Sequence, residues 1–216
     1  MTLNRHTQRA ALNASLLALL FLSLFLHPQP VIAAGTPGTA DLPALTDFSQ
    51  TVQDGNARVL RGVYVKDVLA LPVAQQPSSN AGYVSNKDGE VTQFAMASKF
   101  GNIGLLAHNH LAGRVFSQLA IGQEVRLVYG DGTIKTYIVT DILRYQALTP
   151  TSPYSDFRSL DGGKTLNAEQ MFKRVYFGDQ HVTFQTCIAK NGNASWGRLF
   201  VIAIPKAEYE ELIIEE

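Results

Sequence analysis

The segment that decides the fold is VRLVYGDGTIKTYIVTDI, residues 125–142. Apolar and polar side chains alternate on both sides of Gly130, Asp131 and Gly132. Alternation with a period of two is the pattern of a half-buried β-strand. Glycine and aspartate tolerate the positive φ angles that tight hairpin turns need. The segment therefore predicts an antiparallel β-hairpin.

The same alternation recurs along most of the chain, whereas helical periodicity is scarce. Seven segments are strand candidates: Val59–Val65, Val91–Ala97, Ile103–Ala107, Glu124–Tyr129, Ile134–Leu143, Val182–Ile188 and Leu199–Ile204. Asn167 followed by Gln170 predicts a capped helix of about two turns over AEQMFKRV. Short strands separated by turn residues are typical of a barrel or a sandwich. We therefore expect a mainly β protein.

Composition limits the domain count and the class of partner. The chain has 216 residues, with 18 Lys and Arg against 18 Asp and Glu. This length suits one ordinary globular domain. Because the net charge is zero, no overall field attracts a phosphate backbone, and nucleic acid is not an expected partner.

The N-terminal residues have the order of a signal peptide. Arg5 and Arg9 precede an apolar run at 14–26, and small residues follow at 31–34. The run is shorter than the roughly 20 residues that cross a bilayer. We expect export to the cell envelope or beyond, with residues 1–34 as signal peptide and 35–54 as a flexible arm. Residues 55–216 would form the folded domain, and membrane contact would come only through an uncleaved leader.

The single cysteine, Cys187, is unusual in an exported chain, where cysteines generally occur as disulfide pairs. A lone thiol is either buried and inert or retained for its chemistry. Val182 and Phe184 precede it at alternating positions and should point into the core. Cys187 would then lie on the other, more polar face of its strand. This placement favours a reactive thiol.

A reactive thiol needs a group for proton transfer and a donor for the developing oxyanion. His108 and His110 lie in GLLAHNHLAG, where a strand passes into a loop. His181 precedes the cysteine strand and is expected at a solvent-exposed turn. Arg198 opens the strand LFVIAI after a glycine- and asparagine-rich connection. That connection should return Arg198 close to Cys187 on the neighbouring strand.

Three segments of the chain, in this order, resemble the sortase family. These are LLAHNH, then VFSQL with the hairpin IGQEVRLVYGDGTIKTYIVTDI, and finally TFQTC with WGRLFVIA. The resemblance extends from about Arg58 to Ile204. It implies a sortase-like closed β-barrel of about eight strands with one or two short helices. The long connection from Gln146 to Gln180 resembles that of class B members.

The resemblance also implies a cysteine transpeptidase without cofactor or metal. Cys187 would attack a sorting-signal peptide and form a thioacyl enzyme, and Arg198 would hold substrate and oxyanion. His108 would move the protons, with His110 as the alternative. An amine acceptor of cell-wall or pilin type would release the product, or water would in a peptidase. The three side chains are expected to converge on one open groove.

Other classes of protein fit the sequence less well. A zinc site of His108, His110 and Cys187 would occupy the thiolate itself and lacks the usual motif spacings. The letters HNH at 108–110 suggest a metal nuclease, but the frame of such a site is not evident. TCIAKNG does not resemble the SxGCxR signature of L,D-transpeptidases. The alternatives are a secreted β-barrel that binds a peptide without catalysis and an enzyme of the L,D-transpeptidase type.

Overall fold

The computed structural model describes residues 42–214. The predicted signal peptide at 1–34 and the first part of the predicted arm lie outside the described residues, as do residues 215–216. The strands are β1 Leu60–Val65, β2 Leu69–Gln75, β3 Val91–Phe94, β4 Ile103–Leu106, β5 Glu124–Tyr129, β6 Ile134–Ala147, β7 Phe157–Ser159, β8 Thr165–Leu166, β9 Val182–Lys190 and β10 Asn193–Pro205. The helices are α1 Leu45–Val52, α2 Ala95–Ser98, α3 Ala168–Tyr176 and α4 Lys206–Ile214, with a 3₁₀ helix at Ala112–Gln118.

Eight strands close into a barrel, as the resemblance implied. The order around the sheet is β10-β9-β4-β3-β2-β1-β5-β6, and pairing of β6 with β10 closes it. The β2–β3 and β4–β9 pairs are parallel and the others antiparallel, so the barrel is mixed. β7 and β8 extend the sheet from the last residues of β6. The described part of the chain has more short helices than the one or two expected, because several strand connections coil locally.

The barrel strands separate two apolar clusters. The interior cluster takes side chains from nearly every barrel strand, among them Val63, Leu127, Phe184 and Val201. A second cluster covers part of the outer surface beneath α3. Its main members are Phe94, Leu106, Tyr145, Phe157, Met171, Phe172, Tyr176 and Phe200. Each large side chain buried in this way contributes roughly 1.5–3 kcal/mol.

The hairpin of residues 125–142 forms as predicted, with β5 and β6 paired antiparallel. Its two glycines serve different purposes. Gly132 has a φ of 86°, which meets the conformational demand of the turn. Gly130 has no positive φ, but a Cβ there would lie 2.7 Å from the Asn56 carbonyl oxygen. Gly130 is therefore required by the close approach of the chain at 54–56, whose Gly55 N–H donates to the Gly130 carbonyl at 2.7 Å.

Part of the segment expected to be a flexible arm is the helix α1, so that expectation is wrong for residues 45–52. Leu45, Phe48 and Val52 recur at helical spacing and pack against Tyr64 and Val128. Phe48 is only 4% exposed. Because residues 35–54 contain few apolar residues, the sequence pattern did not reveal this short amphipathic stretch. Its apolar side chains pack against β1 and β5.

Several strand boundaries differ from the sequence predictions. The run expected as a strand through Ala97 leaves the sheet after Phe94 and continues as α2. β2, β7 and β8 were not predicted. β2 contains Pro72, which counts against a strand because it lacks an N–H. β2 pairs with β3 only from Val73 onward, so Pro72 faces no ladder partner on that side.

The capped helix predicted from Asn167 and Gln170 is α3. Asn167 Oδ1 accepts from the Gln170 N–H at 2.9 Å, and Gln170 Oε1 accepts from the Asn167 N–H at 3.0 Å. This reciprocal pair satisfies two of the N–H groups at the start of a helix. It fixes the start of the element that carries Met171, Phe172 and Tyr176 into the second cluster.

We expect Asn167→Ala to lower the free energy of unfolding by about 1 kcal/mol, because the cap acceptor is lost. Asn167→Asp is the matched control, since its carboxylate still accepts from the Gln170 N–H and lies favourably at the helix start. Urea denaturation of the three proteins measures the difference. Equal midpoints for Asn167→Ala and the parent protein would contradict a stabilising role for the capping box.

Candidate active site

Three neighbouring strands carry the three residues singled out from the sequence. β9 lies between β4 and β10, and Cys187 pairs directly with Arg198 in the antiparallel β9–β10 register. β4 pairs parallel with β9, with Leu106 opposite Gln185. The Ala107 N–H donates to the Gln185 carbonyl at 3.2 Å and continues this ladder. At the same offset, His108 comes beside Cys187.

The side chains of Cys187 and Arg198 share the outer face of the barrel. Val182 and Phe184 belong to the interior cluster, as their alternation with Cys187 predicted. Phe200, two residues beyond Arg198, belongs to the outer cluster. Directly opposite residues on one face have Cβ atoms about 4.5–5.5 Å apart. The register therefore brings the thiol and the guanidinium-bearing side chain together on the outer face.

The site is more enclosed than the open groove expected from the resemblance. Cys187 is 7% exposed and Arg198 is fully buried, whereas His108 is partly exposed. The second cluster accounts for this burial, because it covers the outer face of the same strands. Tyr145 of that cluster pairs directly with Arg198 across β10 and β6. The expectation of an open groove is therefore wrong for the described structure.

A β-bulge precedes Arg198 and accepts hydrogen bonds from its guanidinium. The β9–β10 register shifts between Asn193 and Gly197. Arg198 Nη1 donates to the carbonyl oxygens of Ser195 and Gly197, each at 2.9 Å. Bulges redirect side chains and occur often beside functional sites. Here the bulge supplies the carbonyl groups that orient the buried guanidinium.

The loop that carries His108 is held in place by hydrogen bonds to its backbone carbonyl groups. Thr186 Oγ1, next to Cys187 in sequence, donates to the Ala107 carbonyl at 2.9 Å. The His108 carbonyl accepts from the N–H groups of Leu111 and Gly113, both at 3.0 Å. These bonds form the turn directly after β4. Sequence reasoning missed the role of Thr186, although its position beside the only cysteine was a signal.

Asn109 connects this loop to the far side of β9. Its Nδ2 donates to the Ala194 carbonyl, at the start of β10, at 3.0 Å. Because β9 lies between β4 and β10, this bond spans the strand that carries Cys187. The histidine loop and the bulge before Arg198 are thus held to one another. In the sequence, only its position between two histidines distinguishes Asn109.

Burial lowers the pKa of His108 below its usual value of 6.5, and the positive charge of His110 acts in the same direction. A hydrogen bond to the backbone of Val84 opposes the shift. The two imidazole rings are stacked, with centroids 5.5 Å apart and planes inclined by 29°. His110 is exposed. The register of β4 and β9, continued past Leu106, brings His108 to the level of Cys187.

His181 is buried, so the expected solvent-exposed turn is wrong. It is 7% exposed, and its ring nitrogens lie 2.7 Å from the Asp179 carbonyl oxygen and 2.9 Å from that of Val175. The backbone N–H of His181 also donates to Asn102 Oδ1 at 2.8 Å. These contacts join the end of α3 to the starts of β4 and β9. His181 lies at the opposite end of β9 from Cys187.

Within residues 42–214 no three or more His, Cys, Asp and Glu side chains are grouped so that they could hold a metal ion. None of the helices in the described part of the chain is long and apolar enough to cross a bilayer.

No family model and no curated protein matches this chain. Sortases of several classes are among the similar solved structures. Sortase C-1 from Actinomyces oris is 13% identical, with a TM-score of 0.46, over 90% of this chain and 98% of that one. Clostridium perfringens sortase C with its C-terminal cell wall sorting motif is 16% identical, with a TM-score of 0.45, over 74% and 82%. Sortase E1 from Streptomyces coelicolor, with a tripeptide in its active site, is 18% identical, with a TM-score of 0.40, over 72% and 94%.

The lowered pKa of His108 predicts a contribution to acid sensitivity. The unfolded chain binds a proton at this residue more readily than the folded chain does. Stability should therefore begin to fall as the pH drops below about 6.5, and this fall should end once the pH has passed the lowered folded-state pKa. We expect His108→Gln to lose less stability than the parent protein between about pH 8 and about pH 5. Thermal melts across this range measure it, and parallel stability curves would contradict the assignment.

Proposed function

We propose that this chain is a sortase-type cysteine transpeptidase of the cell envelope, with Cys187 as nucleophile, His108 as proton carrier and Arg198 as oxyanion donor. The observation that carries the proposal is the register of three adjacent strands. It puts Arg198 directly opposite Cys187 and the end of β4, with His108, on the other side. Nucleophile, base and donor within mutual reach are the requirements of acyl transfer.

In the first half-reaction the Cys187 thiolate attacks the scissile carbonyl carbon of a sorting-signal peptide. The developing oxyanion is stabilised by N–H groups of Arg198. The carbon–nitrogen bond then breaks, and the departing amine takes a proton from the His108 imidazolium. This leaves a thioester between Cys187 and the N-terminal part of the peptide.

In the second half-reaction an amine acceptor attacks the thioester carbon. His108, now neutral, accepts the proton that the amine loses, and the Cys187 thiolate departs. The products are a new amide bond and the starting enzyme. If water replaces the amine, the same residues make a peptidase. A cell-wall or pilin-type amine outside the cytoplasm suits the proposed export of the chain.

Proton transfer by His108 depends on its environment. Burial and the neighbouring His110 charge lower the pKa of His108, so the neutral imidazole predominates at neutral pH. The proton-donating fraction therefore grows as the pH falls. The neutral fraction needed in the second half-reaction grows as the pH rises, which requires a compromise between the two halves.

The burial of Cys187 requires that a substrate displace part of the cover. The connection from β6 to α3 is the segment best placed to move, since it follows the strand whose Tyr145 pairs with Arg198. It also presents exposed apolar side chains at Leu148, Tyr154 and Leu160. Such side chains suit the apolar residues of a peptide rather than a charged ligand.

A barrel that binds a peptide without catalysis is the second candidate. The observation that favours it is that Arg198 is fully buried and Nη1 donates to the backbone of its own strand. An arginine used only to stabilise the bulge would make the same contacts. Thiol reactivity separates the two functions, because only the transpeptidase requires a Cys187 thiol that can react in the folded protein. Alkylation by a thiol reagent reports that reactivity.

We expect the parent protein to form a thioester on Cys187 when incubated with a library of sorting-signal-like peptides. Intact mass spectrometry followed by peptide mapping reports both the modified residue and the peptide fragment retained. Cys187→Ala should fold normally and form no adduct. The absence of any adduct, together with resistance of Cys187 to iodoacetamide, would refute the proposal in favour of the binding module.

We expect Arg198→Lys to lower acyl-enzyme formation by about 100-fold or more, the usual effect of losing one oxyanion donor. Lysine keeps the charge but loses the planar set of donors. Alkylation of Cys187 by iodoacetamide serves as the control for an intact thiol environment, and thermal melting as the control for folding. Turnover near that of the parent protein would mean that Arg198 acts only in the bulge.

A further inference from the structure

His110 is the second histidine of the HNH segment, residues 108–110, and has no part in the proposed reaction. Its ring nevertheless stacks on that of His108, with centroids 5.5 Å apart. The hydrogen bonds of the loop fix the backbone on both sides of this stack. The His108 carbonyl accepts from the N–H groups of Leu111 and Gly113. Asn109, which lies between the two histidines, donates from Nδ2 to the Ala194 carbonyl. These hydrogen bonds therefore hold the two histidines in a turn in which their rings stack.

The two rings have different surroundings. His108 is partly buried and follows β4, which pairs with the Cys187 strand β9, while His110 is exposed. The Asp88 carboxylate lies in the β2–β3 connection. It accepts two hydrogen bonds, of 2.7 and 3.2 Å, from the guanidinium of Arg114 in the 3₁₀ helix. The hydrogen bond from Arg114 lowers the pKa of Asp88, and the positive charge of His110 acts in the same direction to a smaller extent.

The charged and titratable groups on the elements around the pair are few. Asp88 belongs to the β2–β3 connection and Arg114 to the 3₁₀ helix, while Cys187 and Arg198 belong to β9 and β10. Lys87 and Glu90, on the same connection as Asp88, form an ion pair with one another at 3.5 Å. His110 is exposed, whereas His108 is partly buried. If both rings were protonated, two positive charges would lie side by side, which electrostatic repulsion opposes.

We propose that His110 is a positioning residue of the active site, whose stacked ring orients His108 and whose charge opposes protonation of His108. This inference rests on the proposed function for the role of His108, while the coupling between the rings can be measured without it. The pKa of His108 should therefore respond when the charge of the neighbouring ring is removed. The proton supply for the leaving amine would then depend on His110 as well as on His108.

The test compares His110→Phe, which keeps an aromatic ring without charge, with His110→Ala, which removes both ring and charge. Lys66→Gln is the control, because it removes a positive charge from the exposed β1–β2 turn. NMR titration of proteins with ¹³C-labelled histidine follows His108, and His108→Gln assigns its signal. In His110→Phe we expect the His108 midpoint to lie higher than in the parent protein by about half a pH unit.

The pH profile of acyl-enzyme formation should follow the titration. Because the leaving amine takes its proton from the His108 imidazolium, this step slows as the pH rises through the His108 pKa. We expect that basic limb to move to higher pH in both His110 variants and to stay in place in Lys66→Gln. His110→Ala should also show a severalfold lower kcat with little change in KM, and His110→Phe should restore part of that loss through its ring. Recovery by the uncharged ring distinguishes orientation from charge.

Two outcomes separate this inference from the proposed function. An unchanged His108 titration in His110→Phe, in a protein that forms the acyl-enzyme, would overturn the role of His110 and leave the transpeptidase intact. Coupled titration in a protein that forms no acyl-enzyme would support the coupling of the two rings and overturn the proposed function.

Discussion

The parallel pairing of β4 with β9 is the constraint on which the rest of the site depends. Parallel strands end at the same edge of a sheet, so the loop after β4 emerges beside the last residues of β9. His108 follows β4 and Cys187 lies near the end of β9, so one ladder brings them together. The antiparallel return of β10 then sets Arg198 opposite Cys187. A slip of one residue in either pairing would turn these side chains to opposite faces.

β9 is fixed because both of its faces are buried. Its inward side chains fill the barrel, and its outward ones lie under α3. Tyr176 at the end of α3 donates to Gln185 Oε1 at 2.7 Å, two residues before Cys187 on the same face. Burial raises the pKa of the Tyr176 hydroxyl, which keeps it protonated as a donor. His181 binds the carbonyl group of Val175 near the end of α3 and that of Asp179 just beyond it, so the end of the helix is joined to β9 at two places.

Features determined by neighbours in sequence could be predicted. The hairpin of β5 and β6, the cap of α3 and the outward face of Cys187 all follow from alternation or from spacing within a few residues. Features that depend on distant contacts could not. His181 is buried because Asn102 and Val175 meet it, and neither lies beside it in sequence. The helix α1 gains its stability from Tyr64 and Val128, which its own composition does not indicate.

The same limit applied to the enclosure of the site, since the cover over Cys187 and Arg198 comes from β6 and α3 rather than from their own strands. Local pattern showed which face they occupy, and only the packing showed that this face is covered. A search for exposed polar residues would therefore have passed over both. Their signal in the sequence was their residue type and order, not their expected exposure.

Burial of Arg198 links the bulge to the proposed chemistry. A charged guanidinium removed from water needs hydrogen-bond partners, and the irregular backbone of the bulge supplies the Ser195 and Gly197 carbonyl groups. Because a guanidinium is planar and rigid, fixing Nη1 restricts the directions of its other N–H groups. A donor oriented before the substrate arrives stabilises an oxyanion without reorganisation at the moment of reaction. The bonds that make Arg198 resemble a structural residue are thus also the bonds that a preorganised oxyanion donor needs.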